Sequence, residues 1–360
     1  MDAESLDVVV ARSGVNFTYL AGFEYSGTLG RHLDLSDSPR GVVVIWPRHG
    51  EPALIVNQIA AARAKRDSVI RKMKVLDPYG DRYERQVASI LTELGLADGR
   101  VGAEKSVLSA ESWDELGNAM PKAELIDCTE MMHRVRWAKT EGELELITAG
   151  ARLLDEVYLE VLPQIRPGDT ERDIHARIVG GCISKGATWA HGILNSSRNT
   201  VLYGGEGSFE IEEGDIVRND YVSWYHGYPG HQSRPVVVGA PTTEQIATHK
   251  KIRGIYMATV EFARPGVAAR EIYRFAAEAF SRAGYTDQVP LAGHGVGPWW
   301  HQQPPILVPS SDAVLEEGMV IAFEPHVNEY HIQDMFLIRH GGNEILSPVI
   351  DTSELLVANG

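Results

Sequence analysis

The chain has 360 residues, 44% hydrophobic and 23% charged. A prior of ~150 residues per domain gives about two domains, and this ordinary composition excludes collagen-like, disordered and membrane-embedded classes. Lys+Arg total 34 against 49 for Asp+Glu, and the formal charge of −15 argues against a nucleic-acid partner.

The opening MDAESLDVVV has no basic stretch followed by a long apolar one, so no signal peptide is expected. No apolar run approaches the ~20 residues of a membrane span, which makes the cytoplasm the expected location. Segments 7–21 and 41–56 are rich in β-branched residues and punctuated by Gly and Pro, as strands are. Residues 82–97 place Val87, Ile90, Leu91 and Leu94 at helical spacing. Further short strands are expected at 101–103 and 124–127. This alternation predicts an α/β domain over 1–135 with a largely parallel sheet. Residues 133–142, HRVRWAKTEG, read as a basic, polar connector into a second domain, 136–360. There a long helical pattern runs from Glu141 to Ile165 and stops at RPGD. Thr170 is placed to cap the next helix, with Asp173 three residues on. Cys128 and Cys182 are too few for a disulfide framework or a cysteine-rich metal site, and they read as reduced, partly buried thiols.

The second domain contains an internal repeat. RPGDTERDI at 166–174 returns as RPGVAAREI at 264–272, and EEGDIV at 212–217 returns as EEGMVI at 316–321. Both pairs keep the same order, helix first and strand second, which points to two α/β halves sharing one core. Asp220 and Glu324 then hold equivalent positions, each six residues past the Gly of its repeat and late in a strand. Two carboxylates converging in a core are costly without a metal, a proton or a cationic partner, so the pair marks a site. Histidines supply partners. His294 lies in GHGVGPWWH, where glycines permit close backbone approach. His231 lies in PGHQSR, and His301 closes the Gly-rich segment. His226, His249, His326 and His331 read as surface or supporting residues. Trp299 and Trp300 either line a pocket for an aromatic or cationic group or serve in packing.

At these residues the sequence resembles the pita-bread family of creatinase, prolidase, aminopeptidase P and methionine aminopeptidase. VRWAKTEGELELI, GDIVRNDY, GYPGHQSR, GHGVGPWWH, EEGMVIAFEP and QDMFLIRHGGNEIL carry the resemblance, which covers nearly the whole chain. It implies a creatinase/prolidase-like α/β N-terminal domain and an α+β pita-bread catalytic domain with a pseudo-twofold repeat. The family's metallopeptidases hold two ions with Asp, Asp, His, Glu and Glu. Carried over, the first Asp is Asp220, the His is His294 and the first Glu is Glu324. The second Asp falls on His231 and the last Glu on Gln333. The family's second histidine, which contacts substrate and helps proton transfer, falls on His301. Its earlier histidine has no clear match, and Tyr203 or Thr200 lies in that neighbourhood. The resemblance also implies a homodimer in which the N-terminal domain reaches the neighbouring site, with Arg31 or His32 there to bind a substrate carboxylate.

The departures have physical consequences. His231 and Gln333 stand where the family's metal-bridging carboxylates belong, which argues against the two-ion cluster of the peptidases. A single Zn, Mn or Fe ion held by His231, His294 and Glu324, with Asp220 nearby, is feasible. So is metal-free chemistry. The leading expectation is an enzyme cleaving a C–N bond in a small nitrogen-containing molecule. His301 or His231 acts as acid or base. Glu324 orients an imidazole, binds a cationic group or ligates metal, and His294 polarises the substrate or ligates metal. The alternatives are an Xaa-Pro dipeptidase or aminopeptidase, a lyase on the same scaffold, and a binding module without turnover.

Overall fold

The computed structural model describes the chain apart from residues 24–40, 78–79, 202–206, 286–290, 328 and 360. Arg31, His32 and Tyr203 therefore lie outside the described residues. The chain divides into two compact units, Met1–Arg136 and Trp137–Gly360.

In the first unit, β1 (Val8–Arg12), β2 (Val43–Pro47), β3 (Ala53–Asn57), β4 (Lys72–Leu76), β5 (Arg100–Ala103) and β6 (Glu124–Asp127) form one sheet in the order β4-β3-β2-β1-β5-β6. β1 is parallel to β5, β5 to β6 and β3 to β4, but β2 runs antiparallel to both β1 and β3. The sheet is therefore mixed, not largely parallel. The short turn between β2 and β3 makes a hairpin, and a hairpin forces antiparallel pairing. Segment 7–21 is also not all strand. Gly14, at φ +123°, ends the extended run and opens helix α1 (Val15–Ala21), whose Phe17 is buried in the core. Helices α2 (Gln58–Asp67), α3 (Tyr83–Glu93), α4 (Ala110–Ala119) and α5 (Thr129–Val135) complete the unit. α5 extends over residues 133–135, so the first part of the expected connector is helical.

Glu104, just past β5, is buried and accepts a hydrogen bond from the Asn16 side-chain amide. Burial pushes its carboxyl up to about 7, against the pull of Asn16 and of Arg136. The unfolded chain releases that proton near 4.5 and the folded chain near 7, so Glu104 withdraws stability as pH rises through this window. At tenfold per pH unit the loss is about 3 kcal/mol. Replacing Glu104 with Gln is expected to raise the unfolding free energy relative to the parent chain at pH 8 and much less at pH 5. Urea unfolding of both chains at the two pH values checks this.

The second unit has two similar halves. In the first, helices α6 (Glu141–Val161) and α7 (Glu171–Ser184) pack on β7 (Trp189–Ser196), β8 (Ile216–Tyr225), β9 (Tyr228–Gln232) and β10 (Val236–Val238). In the second, α8 (Thr243–Phe262) and α9 (Ala269–Arg282) pack on β11 (Gly293–Gly295), β12 (Gln303–Ile306) and β13 (Val320–Phe323). The short pair β14 (His326–Val327) and β15 (Tyr330–His331) follows, then β16 (Asp334–Leu337), β17 (Glu344–Ile345) and β18 (Leu356–Ala358). The sheets run β18-β10-β8-β7, with β9 on β8, and β12-β11-β13-β16-β17.

The sequence repeat is a structural repeat. Gly168 and Gly266 both sit at φ +92°, and Gly214 and Gly318 at +87° and +89°. Isolated bridges join Thr170 to Glu210 in one half and Ala268 to Val314 in the other, at the same chain offsets as the two sequence repeats. Thr170 and Asp173 form the expected capping box on α7. Within the first half, α6 crosses β9 closely. A Cβ on Gly230 would lie 2.2 Å from the Gly150 carbonyl, and Ser223 Oγ donates to the same carbonyl at 3.0 Å. Glycine at this crossing lets the helix backbone rest on the strand.

Candidate active site

Strand register places one wall of the site. Ile193 pairs with Asp220 and His191 with Val222 across β7 and β8, and Val222 pairs with His231 across β8 and β9. Directly paired residues share a face, and side chains alternate along a strand. His191, Ile193, Asp220, Val222 and His231 therefore point the same way. Asp220 lies midway along ten-residue β8, not late in it. In the other half His294 pairs with Ala322, and Glu324 follows immediately after β13. A Cβ on Gly293 would lie 2.3 Å from Ala322 O, and one on Gly295 2.5 Å from Pro304 O. The glycines flanking His294 thus allow β12 and β13 to close on both sides of it.

These faces enclose a cavity of about 420 Å³, bordered by Asp220, His231, His294, His301 and Glu324, with His191 on one side and Ile193, Val222 and Leu291 as apolar wall. The carboxylates expected to converge do so. Asp220 Oδ1 lies 2.8 Å from His231 Nε2, and Glu324 Oε1 lies 3.6 Å from His294 Nε2. His294 Nδ1 is 2.8 Å from the Gly295 carbonyl, which only accepts, so Nδ1 carries the proton and Nε2 presents its lone pair toward Glu324. In neutral His231 the Nε2 proton goes to Asp220 in the same way. Its Nδ1 is buried with no hydrogen-bond partner among the described residues.

Burial sets the protonation of the cavity. It would raise the Asp220 carboxyl, but His231, with His331 and His301 behind it, holds that group well below the usual carboxylate range. Burial and the charge of Asp220 push Glu324 well above its ordinary value. Burial, then His231, lower His294 to about 3, and His301 is driven down by burial and by His231 and His294. Near neutral pH without a cation, the cavity holds an ionised Asp220, a protonated Glu324 and neutral His294 and His301.

His301 sits over the cluster, its ring centroid 4.5 Å from that of His231. Trp300 is half exposed, with its ring 5.0 Å from His301. Trp299 adopts φ +67°, and its carbonyl accepts from Trp224 Nε1 at 2.7 Å. Neither tryptophan borders the cavity as His301 does. Gln333 is fully buried, and its Oε1 accepts from Ser233 Oγ at 3.2 Å. His331 is buried beside the cluster, with Nδ1 3.4 Å from the same Ser233 Oγ, so it is no surface residue. His249 is also buried, and its Nε2 donates to Thr352 O at 3.0 Å. His226 stays exposed in the turn between β8 and β9.

Two features gave no signal in the sequence. His191 enters the cavity from β7, its ring 5.4 Å from Trp224 and 6.1 Å from His301. Period-two reading of WAHGILNS, once paired against Asp220, is the signal that finds it. Arg234, fully buried, reaches Asp155 at 3.0 Å and Asp334 at 2.7 Å and donates to Gln333 O at 2.6 Å. It fastens the segment between β9 and β10 to the start of β16.

One ligand atom from each of His231, His294 and Glu324 lies within 4.8 Å of the other two. Two imidazoles and a carboxylate suit Zn, Mn or Fe, and the orphaned His231 Nδ1 fits such an occupant. The family model for metallopeptidase family M24 matches residues 145–341, which contain this whole cluster. The chain belongs to metallopeptidase family M24. The model of the creatinase/prolidase N-terminal domain matches residues 1–137, so this M24 chain has the two-domain, pita-bread architecture of the creatinase/prolidase branch. It is 28% identical over 356 residues to the Xaa-Pro dipeptidase of Pyrococcus furiosus, covering 96% of this chain and 95% of that one. The solved prolidase from Pyrococcus furiosus superposes with a TM-score of 0.80 at 25% identity, covering 98% of this chain and 99% of that one. The Xaa-Pro dipeptidase from Bacillus anthracis does so with a TM-score of 0.82 at 22% identity, covering 99% and 96%. Among the described residues of this M24 chain, no helix is long and apolar enough to cross a membrane.

Proposed function

We propose that this M24 chain hydrolyses the C–N bond of a short peptide or peptide-like amide, assisted by a divalent ion held by His231, His294 and Glu324. Xaa-Pro dipeptides are the first substrates to test. The observation that carries the reading is the convergence of those three side chains in a buried cavity with His301 beside them. The similarity to Xaa-Pro dipeptidases over nearly the whole chain weighs for a peptide substrate over the small-molecule reading favoured by the replaced bridging acids.

The ion, when bound, supplies Lewis-acid polarisation of the scissile carbonyl and acidifies water. The side chains do the rest. Asp220 fixes the tautomer and ring orientation of His231 through the 2.8 Å hydrogen bond, as carboxylates behind ligating histidines do. The Gly295 carbonyl does the same for His294. His301, kept neutral by burial, accepts a proton and returns it to the departing nitrogen. Ile193, Val222 and Leu291 give an apolar wall for a small ring or aliphatic side chain.

The test is hydrolysis of Ala-Pro against Ala-Leu, by metal-stripped chain and after Mn, Zn or Fe is returned. The reading predicts activity on an amide that chelation removes and one of these ions restores. A chain inert toward dipeptides with every ion contradicts it. One observation favours a second reading, metal-free cleavage of a C–N bond in a small nitrogen-containing molecule. The Asp220–His231 pair is already a carboxylate–imidazole base. Turnover that survives chelation would select it.

A further inference from the structure

We propose that His191 receives a carboxylate of the substrate, on the side of the cavity away from the ion. This inference rests on the reading of the cavity as an amide-hydrolysing site, and it adds the charge of the molecule that the site accepts.

His191 borders the cavity but has no part in the chemistry assigned above. Strand register sets its distance from the ligands. Val222 on β8 pairs with His191 on β7 and with His231 on β9, so the two histidines share one face with backbones about 10 Å apart. The His301 ring reaches toward both, 4.5 Å from His231 and 6.1 Å from His191. One residue of substrate spans about 3.8 Å. An amide held beside His231 and His301 therefore brings the group one residue further along against His191.

The ring is held in place from behind. Trp189 pairs with Trp224 across β7 and β8, and their rings stack at 4.4 Å. His191 packs on this pair, 4.7 Å from Trp189 and 5.4 Å from Trp224. A side chain already ordered in the free protein loses little freedom on binding.

Charge decides what kind of group His191 takes. Asp220 and Glu324 stand with His231 and His294 at the ion's side of the cavity. Apart from these four and His301, the polar side chains bordering the cavity among the described residues are His191 and Gln302, and neither is acidic. A substrate anion is repelled from Asp220 and finds an imidazole N–H donor at His191. A cationic group is drawn the other way. A free C-terminus and an acidic side chain both supply the carboxylate.

The experiment measures kcat and KM of the ion-loaded parent on two matched pairs, Ala-Pro against Ala-Pro-amide and Glu-Pro-amide against Gln-Pro-amide. The first pair isolates a C-terminal carboxylate, the second an acidic side chain. The parent is expected to prefer the acid of one pair by about 10- to 100-fold in kcat/KM, the worth of a hydrogen bond to a charged group. The difference is expected in KM rather than kcat. His191→Phe, which keeps a ring against Trp189 and Trp224, and His191→Leu are expected to level that pair. His191→Gln, which keeps an N–H donor, is expected to retain part of the preference. Damage to the fold lowers both members of a pair alike, so the ratio reads recognition. A parent that hydrolyses the members of each pair equally overturns this inference and leaves the proposed function standing, as does a preference that survives in both His191→Phe and His191→Leu. A parent that hydrolyses none of the four with Mn, Zn or Fe overturns the proposed function, and this inference falls with it.

Discussion

Replacing His294 with Ala is expected to abolish tight binding of the ion and to lower amide hydrolysis by about 10³-fold. Lewis-acid stabilisation is worth several kcal/mol, and each 1.36 kcal/mol is tenfold in rate. The geometry singles out His294. Its ring cannot turn away, because Gly293 and Gly295 press it between β12 and β13 and its Nδ1 is spent on the Gly295 carbonyl. Nε2 is left as the one nitrogen facing Glu324. Metal content and kcat/KM are to be measured on the same preparation. Loss of both together is the predicted outcome. A variant that keeps parental kcat/KM while losing its ion would show that the chemistry does not run through these ligands.

Replacing Arg234 with Met is expected to cost about 3–5 kcal/mol of stability, because it leaves two buried carboxyls without their shared cation. Asp155 and Asp334 are both fully enclosed, and the neutral donors Ser347 Oγ at 2.7 Å and Gln232 Nε2 at 3.0 Å on Asp155 and Tyr256 Oη at 3.1 Å on Asp334 do not replace the charge of a guanidinium. The loss reaches the site, because the Arg234 guanidinium also donates to the Gln333 carbonyl at 2.6 Å. Urea unfolding of the full chain gives the number. A loss under about 1 kcal/mol, the value of an exposed pair, would contradict this account.

Much of the site was legible because it is built on a repeat. Two matched turn motifs at near-equal offsets place Asp220 and Glu324 in corresponding positions, and His294 stands out by its flanking glycines. What escaped notice depends on pairing. His191 is a lone histidine in an apolar strand, and only its register against Val222 turns it toward the cavity. His331 is left between a surface and a supporting place, because nothing in YHIQD tells which side of the strand faces Ser233. Arg234 and Asp155 are distant in sequence, and charges so far apart carry no local pattern. In the first unit, strand composition located β2 and β3 but not their direction. That follows from the tight turn at Gly50, whose φ is +102°.

The most direct test of the account is a crystal of the chain soaked in Mn(II), with anomalous scattering used to locate the ion. An ion bound between His231, His294 and Glu324 is the predicted result. An anomalous map with no peak at those three side chains, from crystals whose dissolved protein still hydrolyses its substrate in the presence of chelator, would contradict it.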